Sequence, residues 1–302
     1  MIVITGGKGF IGSYLYDYAI SRGDNVIVID NLMHPSPRAS HIDFINLDLT
    51  QGMVELRDVE VIYHLAADIS VTNSIKNPKF SYNNNVLSTM NVLEFARKYD
   101  VKVVFSSSSA VYGNLEFNGK ITEDSPKRPA SIYGMSKLHN EHMIELYHEL
   151  YGIDYVILRY SNVYGPGADP EGGVVGKFIT RMLRGDSVEI YGDPARDFVY
   201  VQDVAMITYA ARWFSGIYNL GTGRAVRILD LFRMIAEELD YTREPIIKPF
   251  RQGEMRVNTL DNSKLISVFQ SKLRELGWVD FVDIRTGLKQ TIKYIKTSLN
   301  YK

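Results

Sequence analysis

The chain has no cysteine among its 302 residues. That absence excludes disulfides, thiolate metal sites and a cysteine nucleophile, and no metal is expected. There is no surplus of charge of either sign, since 34 Lys and Arg stand against 35 Asp and Glu. No basic run gathers, so nothing points to nucleic acid. No apolar run reaches the roughly 20 residues needed to cross a bilayer. Internal repeats and low-complexity tracts are also missing. Met1–Thr5 leads directly into a glycine-rich turn. It lacks the charged segment and cleavage site of a secretory leader, so a cytoplasmic enzyme is expected. The length allows one large domain or two smaller ones with a shared core.

What is present has a regular order. β-Branched runs at Ile2–Thr5, Asn25–Asp30, Asp43–Asn46, Val61–Leu65, Lys102–Ser107 and Asp154–Arg159 read as strands. Phe10–Arg22, Pro78–Tyr99 and Ile132–Tyr151 read as helices. The strands are too short for periodicity alone to separate them from buried helix. Their alternation with helices decides for a parallel, doubly wound sheet. After Arg159 the pattern loosens around Gly165-Pro166-Gly167, Asp169-Pro170 and Gly172-Gly173. Shorter elements follow at Gly176–Arg184, Val188–Tyr191, Val201–Phe214 and Ile228–Leu239, with a last helix from about Asp283 to Leu299. This half reads as a smaller, substrate-holding α+β subdomain that closes a cleft over the carboxyl ends of the strands. The division expected is 1–160 with 201–220 returning to it, against 161–200 and 221–302.

Gly6, Gly9 and Gly12 follow the first strand and open a helix. The spacing is GxxGxxG, and it meets the needs of a dinucleotide site. These are a tight turn, close approach of backbone to pyrophosphate, and close packing of helix on strand. The helix N-terminus then offers free N–H groups to the phosphates. Asp30 ends the second strand, where a carboxylate can accept both ribose hydroxyls and repel a 2′-phosphate, which selects NAD. It could equally cap a turn. Asp48 and Leu49, after the third strand, suit the adenine edge, and Asp48 is nearly as plausible as a simple turn residue.

Tyr133 and Lys137 are four apart on a predicted helix and share a face. Bringing a phenol from ~10 to about 7 requires ~4 kcal/mol. An ammonium about 6 Å away supplies roughly 3 kcal/mol at an effective dielectric of ~20. The pair therefore reads as a proton-transfer device, with Tyr133 as base beside a bound NAD. Serines crowd the preceding strand end, Ser106-Ser107-Ser108-Ser109. One of their hydroxyls can bind the reacting oxygen, and the others can cap their own backbone.

With His64-Leu65-Ala66-Ala67, Asn85-Val86, Val111-Tyr112-Gly113, Arg159–Pro166, Arg196–Val204 and Arg251–Glu254, these motifs resemble the extended short-chain dehydrogenase/reductases. Within them the chain is most similar to NAD-dependent sugar-nucleotide epimerases of the UDP-glucose 4-epimerase type. The resemblance covers nearly the whole chain and implies a Rossmann-type fold. It implies Ser108, Tyr133 and Lys137 as catalytic residues. It implies NAD contacts from Gly6, Gly9, Phe10, Ile11, Gly12, Asp30, Asn31, Asp48, Leu49, Leu65, Ala66, Ala67, Asn85, Ser106, Tyr133, Lys137, Tyr160 and Val163. Substrate contacts are implied for Ser108, Tyr133, Asn162, Val174, Val175, Tyr191, Arg196, Arg251 and Glu254, with the arginines gripping a diphosphate.

The partner implied is a nucleotide-diphosphate sugar, most often a UDP-sugar, and the assembly implied is a homodimer through Pro78–Tyr99 and Ile132–Tyr151. Other reactions of the group stay open, namely 4,6-dehydration, decarboxylation and reduction, as does a non-catalytic NAD-binding regulator. Relatives that dehydrate carry Asp-Glu after the catalytic hydroxyl, where this chain has Ser109-Ala110. Ile69 stands where some 4-epimerases carry lysine, and Asn258 falls near a position tied to room for an N-acetyl group.

Overall fold

The β-branched runs of the first half become strands, and the amphipathic stretches between them become helices. In the computed structural model, which describes residues 1–114, 119–250 and 257–298, this half runs β1 (Ile2–Thr5), α1 (Phe10–Ser21), β2 (Val26–Asp30), β3 (Ile45–Asn46), β4 (Val61–His64), α2 (Val71–Lys76), α3 (Pro78–Tyr99), β5 (Lys102–Ser108), α4 (Ile132–Tyr151) and β6 (Tyr155–Tyr160). The second half continues with β7 (Asn162–Tyr164), α5 (Val174–Leu183), β8 (Glu189–Tyr191), β9 (Ala195–Tyr200), α6 (Val201–Ala210), β10 (Gly216–Leu220), β11 (Ala225–Arg227), α7 (Ile228–Glu238), β12 (Ile246–Lys248), β13 (Val257–Asn258), α8 (Ser263–Glu275) and α9 (Ile284–Ser298).

Seven strands make one Rossmann-type sheet in the order β10-β6-β5-β4-β1-β2-β3, and every pairing in it is parallel. The chain moves outward from β1 to β3, then crosses to β4 and moves the other way. That reversal opens a crevice at the carboxyl ends of β1 and β4, where such sheets bind ligands. Alternation along the strands fills both faces. Val3, Ile62, Val103 and Ile157 join Val92 and Leu93 of α3 and Ile144 of α4. Ile2, Ile4, Val104 and Leu158 join Leu15 of α1, Val204 of α6 and Phe269 of α8. A third core gathers Ile179, Ile190, Phe232 and Ile292 from α5, β8, α7 and α9. Between the large sheet and this third core, β9 pairs with β7, β11 and β13.

The two long helices have the ends expected of them because local signals set both. Pro78 opens α3, and its fixed φ suits a first helical position. Ser131 caps α4 by accepting the Gly134 N–H at 3.1 Å, and Gly152, left-handed at φ 76°, ends it. Elsewhere the structure departs from expectation. The third strand, expected over Asp43–Asn46, forms only at Ile45–Asn46, where Ile29 and Asp30 offer partners. Helix α5 starts at Val174, not Gly176. The stretch expected as one helix from Val201 to Phe214 leaves α-geometry after Ala210 and tightens into a 3-10 turn at Ala211–Trp213. Helices α2 and α8 are absent from the sequence reading. The first is short and built of poor helix formers, held by the Ser70 hydroxyl, which accepts the Asn73 N–H at 3.0 Å. The second does carry a legible stripe, with Leu265, Phe269 and Leu273 buried.

Gly12 marks the closest approach of α1 to the turn. A Cβ there would lie 2.2 Å from the Gly6 carbonyl oxygen and 2.7 Å from Gly7 Cα, both backbone atoms. Gly12→Ala is expected to destabilise the fold by about 2 kcal/mol or more. The measurement is a urea midpoint at unchanged slope, and an unmoved midpoint would show that this packing is not what requires glycine.

Candidate active site

The crevice begins with the glycine turn. Gly6 is left-handed, and a Cβ on it would lie 2.7 Å from Ala66 N. The Gly9 N–H donates to the Gly6 carbonyl at 3.0 Å. Gly9 starts α1 without any side-chain cap, so the first turn, with Phe10 and Ile11, keeps N–H groups available to an anion. A backbone cradle that a side chain would fill, with an uncapped helix end at its floor, fits a dinucleotide pyrophosphate.

Asp30 is buried beside it, accepting Lys8 N–H at 2.9 Å and Leu32 N–H at 2.7 Å on its two oxygens. The carboxylate is thereby aimed, with lone pairs left for ribose hydroxyls. Lys8 turns its ammonium away, donating to the Ala39 and Ile42 carbonyls at 2.6 and 3.0 Å. Asn31 is exposed and accepts the Met33 N–H. Asp48 caps the turn after β3, accepting Thr50 N–H at 2.9 Å. It also lines an open groove of about 610 Å³ walled by Phe80, Asn84 and Leu87 of α3. The Leu49 side chain belongs to the core.

At the other end of the crevice, α4 lies against the end of β5. The Ser108 side chain lies beside the Tyr133 hydroxyl and acts to lower its pKa, and Ser108 accepts the Ala110 N–H at 3.1 Å. Lys137 Nζ donates to the Ser106 carbonyl at 2.7 Å. It lies 4.7 Å from the Phe105 ring centre and 6.0 Å from that of Tyr133. The structure therefore brings Ser106, Ser108, Tyr133 and Lys137 together.

The electrostatics differ from the expectation of a lysine-acidified phenol. Burial raises the Tyr133 pKa above its ordinary value, the neighbouring Ser108 hydroxyl opposes this, and the Asp68 carboxylate adds to the rise. The reason is that the same enclosure acts on the cation, because burial brings Lys137 down to about 7, with Glu141 resisting. Desolvation of two neighbouring groups outweighs their mutual attraction.

Several residues named from the resemblance have protein partners of their own. Asn85 is 1% exposed and has its amide fully engaged, with Asp68 N–H, Asp68 carbonyl, Asn84 and Ser136 as partners. It ties the loop after β4 to α4. The Tyr160 hydroxyl bonds Thr208 inside the core at 2.7 Å. Val163 packs with Phe10, Tyr14 and Val201. The Leu65 N–H donates to the Thr5 carbonyl, and the Ala66 N–H to the Thr5 hydroxyl, which holds Leu65, Ala66 and Ala67 along the rim.

In the second half of the chain, Asn162 donates to the Asp197 carbonyl at 3.1 Å, and Arg196 lies opposite Asn258 across β9 and β13. Tyr191 donates its hydroxyl to Glu189 at 2.9 Å. Val174 and Val175 form the uncapped N-terminus of α5, with the Val175 side chain in the third core. Arg251 and Glu254 lie outside the described residues.

The sequence reading passed over Asp68, Ser136 and the Glu141–Arg159 pair. Glu141 carried a signal, four residues beyond Lys137 on the same helix. Asp68 and Arg159 act through contacts between elements far apart in the chain, and spacing does not reveal those.

Known proteins resemble the chain over nearly its whole length. The family model described as "NAD dependent epimerase/dehydratase family" matches residues 2–221. A Methanocaldococcus jannaschii protein provisionally named UDP-glucose 4-epimerase is 41% identical, across 99% of each chain. The crystal structure of UDP-glucose 4-epimerase from Thermotoga maritima, with UDP-glucose, superposes at a TM-score of 0.87 with 36% identity over 99% of both chains. That of UDP-N-acetylglucosamine 4-epimerase from Methanobrevibacter ruminantium, with UDP-N-acetylmuramic acid, gives 0.89 with 32% identity over 98% of both. Other relatives are named for UDP-glucuronate 4-epimerisation and UDP-glucuronic acid decarboxylation.

His64 lies under this site, fully buried. The Thr89 hydroxyl donates to the Asn85 carbonyl at 2.8 Å, so its oxygen is left to accept from His64 Nε2 at 3.0 Å, while Nδ1 accepts from Thr5 at 2.7 Å. Burial, aided by the Lys137 charge, lowers its pKa to about 3. The folded chain then refuses a proton that the unfolded chain takes up below about 6.5. Stability from this source is complete above that pH and is lost progressively as the pH falls toward 3. Between pH 7 and pH 5 the loss is expected to be about 2 kcal/mol. Denaturant midpoints at the two pH values should show it, and His64→Gln should remove it.

Proposed function

The chain belongs to the NAD-dependent epimerase/dehydratase family, and we propose that it interconverts nucleotide sugars at C4, in the manner of UDP-glucose/UDP-galactose 4-epimerases, through a transient 4-keto sugar. The observation that carries this reading is the convergence of the Ser108 hydroxyl and the buried Lys137 ammonium on Tyr133, at the end of a strand beside the glycine cradle. Gly6, Gly9, Phe10, Ile11 and Gly12 hold the cofactor's pyrophosphate, Asp30 and Asn31 its adenosine ribose, and Leu65, Ala66 and Ala67 the rim near its nicotinamide. Bound NAD supplies the acceptor and donor of hydride. Tyr133 takes the proton of the sugar 4-hydroxyl and later returns it, and Ser108 holds the reacting oxygen.

Asn162, Arg196 and Arg251 grip the diphosphate, Glu254 the nucleotide ribose, and Tyr191 covers the base. The nucleotide is then bound firmly and the flat keto sugar loosely, which lets it present either face. Proton transfer of this kind contributes about 10²–10⁴-fold.

Dehydration is disfavoured because Ser109 and Ala110 replace the carboxyl acid–base pair. The Ser109 hydroxyl is also turned toward the protein, accepting from Asn258 Nδ2 at 3.4 Å. A regulator without activity is disfavoured by the presence of Ser108, Tyr133 and Lys137 together. Asn258 favours one variant of the main reading. Its side chain is small, and its buried Oδ1 lacks a hydrogen-bond partner among the described residues. It could accept the N–H of a 2-acetamido group, so N-acetyl sugars belong among the substrates to try.

The deciding assay supplies NAD and, in turn, UDP-glucose, UDP-galactose, their N-acetyl forms and UDP-glucuronate, with products separated by sugar chromatography. A 4-epimer is expected from at least one of them, and none from any would remove UDP-sugars from the reading. Tyr133→Phe is expected to lower turnover about 10³-fold with NAD still bound.

We further propose a cytoplasmic homodimer. Phe80, Leu87 and Met90 of α3 and Met135, Leu146 and Leu150 of α4 are 39–61% exposed on adjoining helices, enough for a four-helix contact. Sedimentation should give a dimer, and Leu146→Glu with Leu150→Glu a monomer. A monomeric parent protein would refute this assembly.

A further inference from the structure

Tyr133, Lys137 and Glu141 stand four residues apart on α4 and share one face. Each meets one of three consecutive serines of β5. Ser108 lies beside the Tyr133 hydroxyl, the Ser106 carbonyl accepts from Lys137, and Ser107 Oγ donates to Glu141 Oε1. Val103 and Phe105 pack on the α4 side of the sheet, and strand alternation sends Ser107 to that same side.

Glu141 and Arg159 are each about 1% exposed. Arg159 reaches from β6, giving Nε to both carboxylate oxygens at 3.0 and 3.2 Å and Nη2 to Oε2 at 2.7 Å. Its Nη1 donates to the Tyr112 hydroxyl at 2.8 Å and the Glu123 carbonyl at 2.9 Å. A buried ion pair is a poor source of stability, since apolar side chains of similar size often serve as well or better. Its place directly behind the serine rungs calls for another reason.

We propose that Glu141 is a positioning residue for proton transfer at Tyr133: through Ser107 it fixes the strand end that carries Ser108, and it sets a carboxylate one turn beyond Lys137 on the same face of α4. The inference rests on the reading of Tyr133 as the base. Glu141 is the group that resists the loss of charge on Lys137. The other titratable groups around the pair oppose it or stay silent. Asp68, after β4, works against ionisation of Tyr133. His64 of β4 is held neutral by burial. Arg159 holds Glu141, and Tyr112 and Glu123 meet Arg159 rather than the lysine.

The test is the ionisation of Tyr133 in the NAD-loaded protein, followed as the ultraviolet difference between each protein and its Tyr133→Phe counterpart. No substrate is needed, so the result is separate from the sugar assay. In Glu141→Gln the ionisation is expected to move up by about one pH unit, a tenfold change in its equilibrium, and the thermal midpoint to fall. In the double variant Glu141→Leu/Arg159→Met the thermal midpoint is expected to recover while the ionisation stays displaced. Tyr133 titrating at the same pH in all three proteins would overturn the proposal. So would a displacement that vanishes once the midpoint recovers, because Glu141 would then serve the fold alone.

Discussion

A lysine kept where water cannot reach it is the constraint around which this molecule is arranged. Lys137 is 2% exposed, and an ammonium so placed loses its proton readily. The Ser106 carbonyl, the face of Phe105 and the carboxylate of Glu141 each offset part of that tendency. All three depend on one registration, in which a face of α4 lies along the last residues of β5. Asn85 and Ser136 set that registration from the other side by joining α4 to the loop after β4. The phenol stands at the edge of this assembly, half-buried, where a second molecule can approach it.

Much of this is legible in the sequence. Both long helices carry their own start and stop signals, and β-branched runs alternating with them define a parallel sheet. The spacing of Tyr133 and Lys137 placed both on one face of α4. Other features could not be read for identifiable reasons. Helix α2 is made by a serine cap and by packing, both invisible to propensity. The choice of Ser108 among four serines depends on which hydroxyl ends up beside Tyr133, and only the resemblance pointed to it. The direction of the Tyr133 pKa was misjudged because spacing reports the nearness of a cation but says nothing of the desolvation both groups undergo.

The second half of the chain shows a division of labour within one short sheet. β9 receives β7, β11 and β13 as neighbours. Asn162, Arg196 and Asn258 are brought together from stretches nearly a hundred residues apart. Beneath them Asp197, fully buried, accepts N–H groups from Thr222, Gly223 and Leu260 and so fixes the turns behind the arginine strand.

The manner in which Asp30 is held bears on how a lineage could exchange one coenzyme for its phosphorylated form. Removing the carboxylate would abolish its repulsion of an added phosphate. It would also strand the Lys8 and Leu32 amides, the second of them on a residue kept left-handed at φ 59°, and loosen the segment whose Ser36 N–H returns to the Lys8 carbonyl at 2.8 Å. On the reading of Asp30 as the ribose carboxylate, selectivity and local architecture are inherited as one trait. An evolutionary switch in redox currency would have to pass through a rebuilt loop rather than a single exchanged side chain.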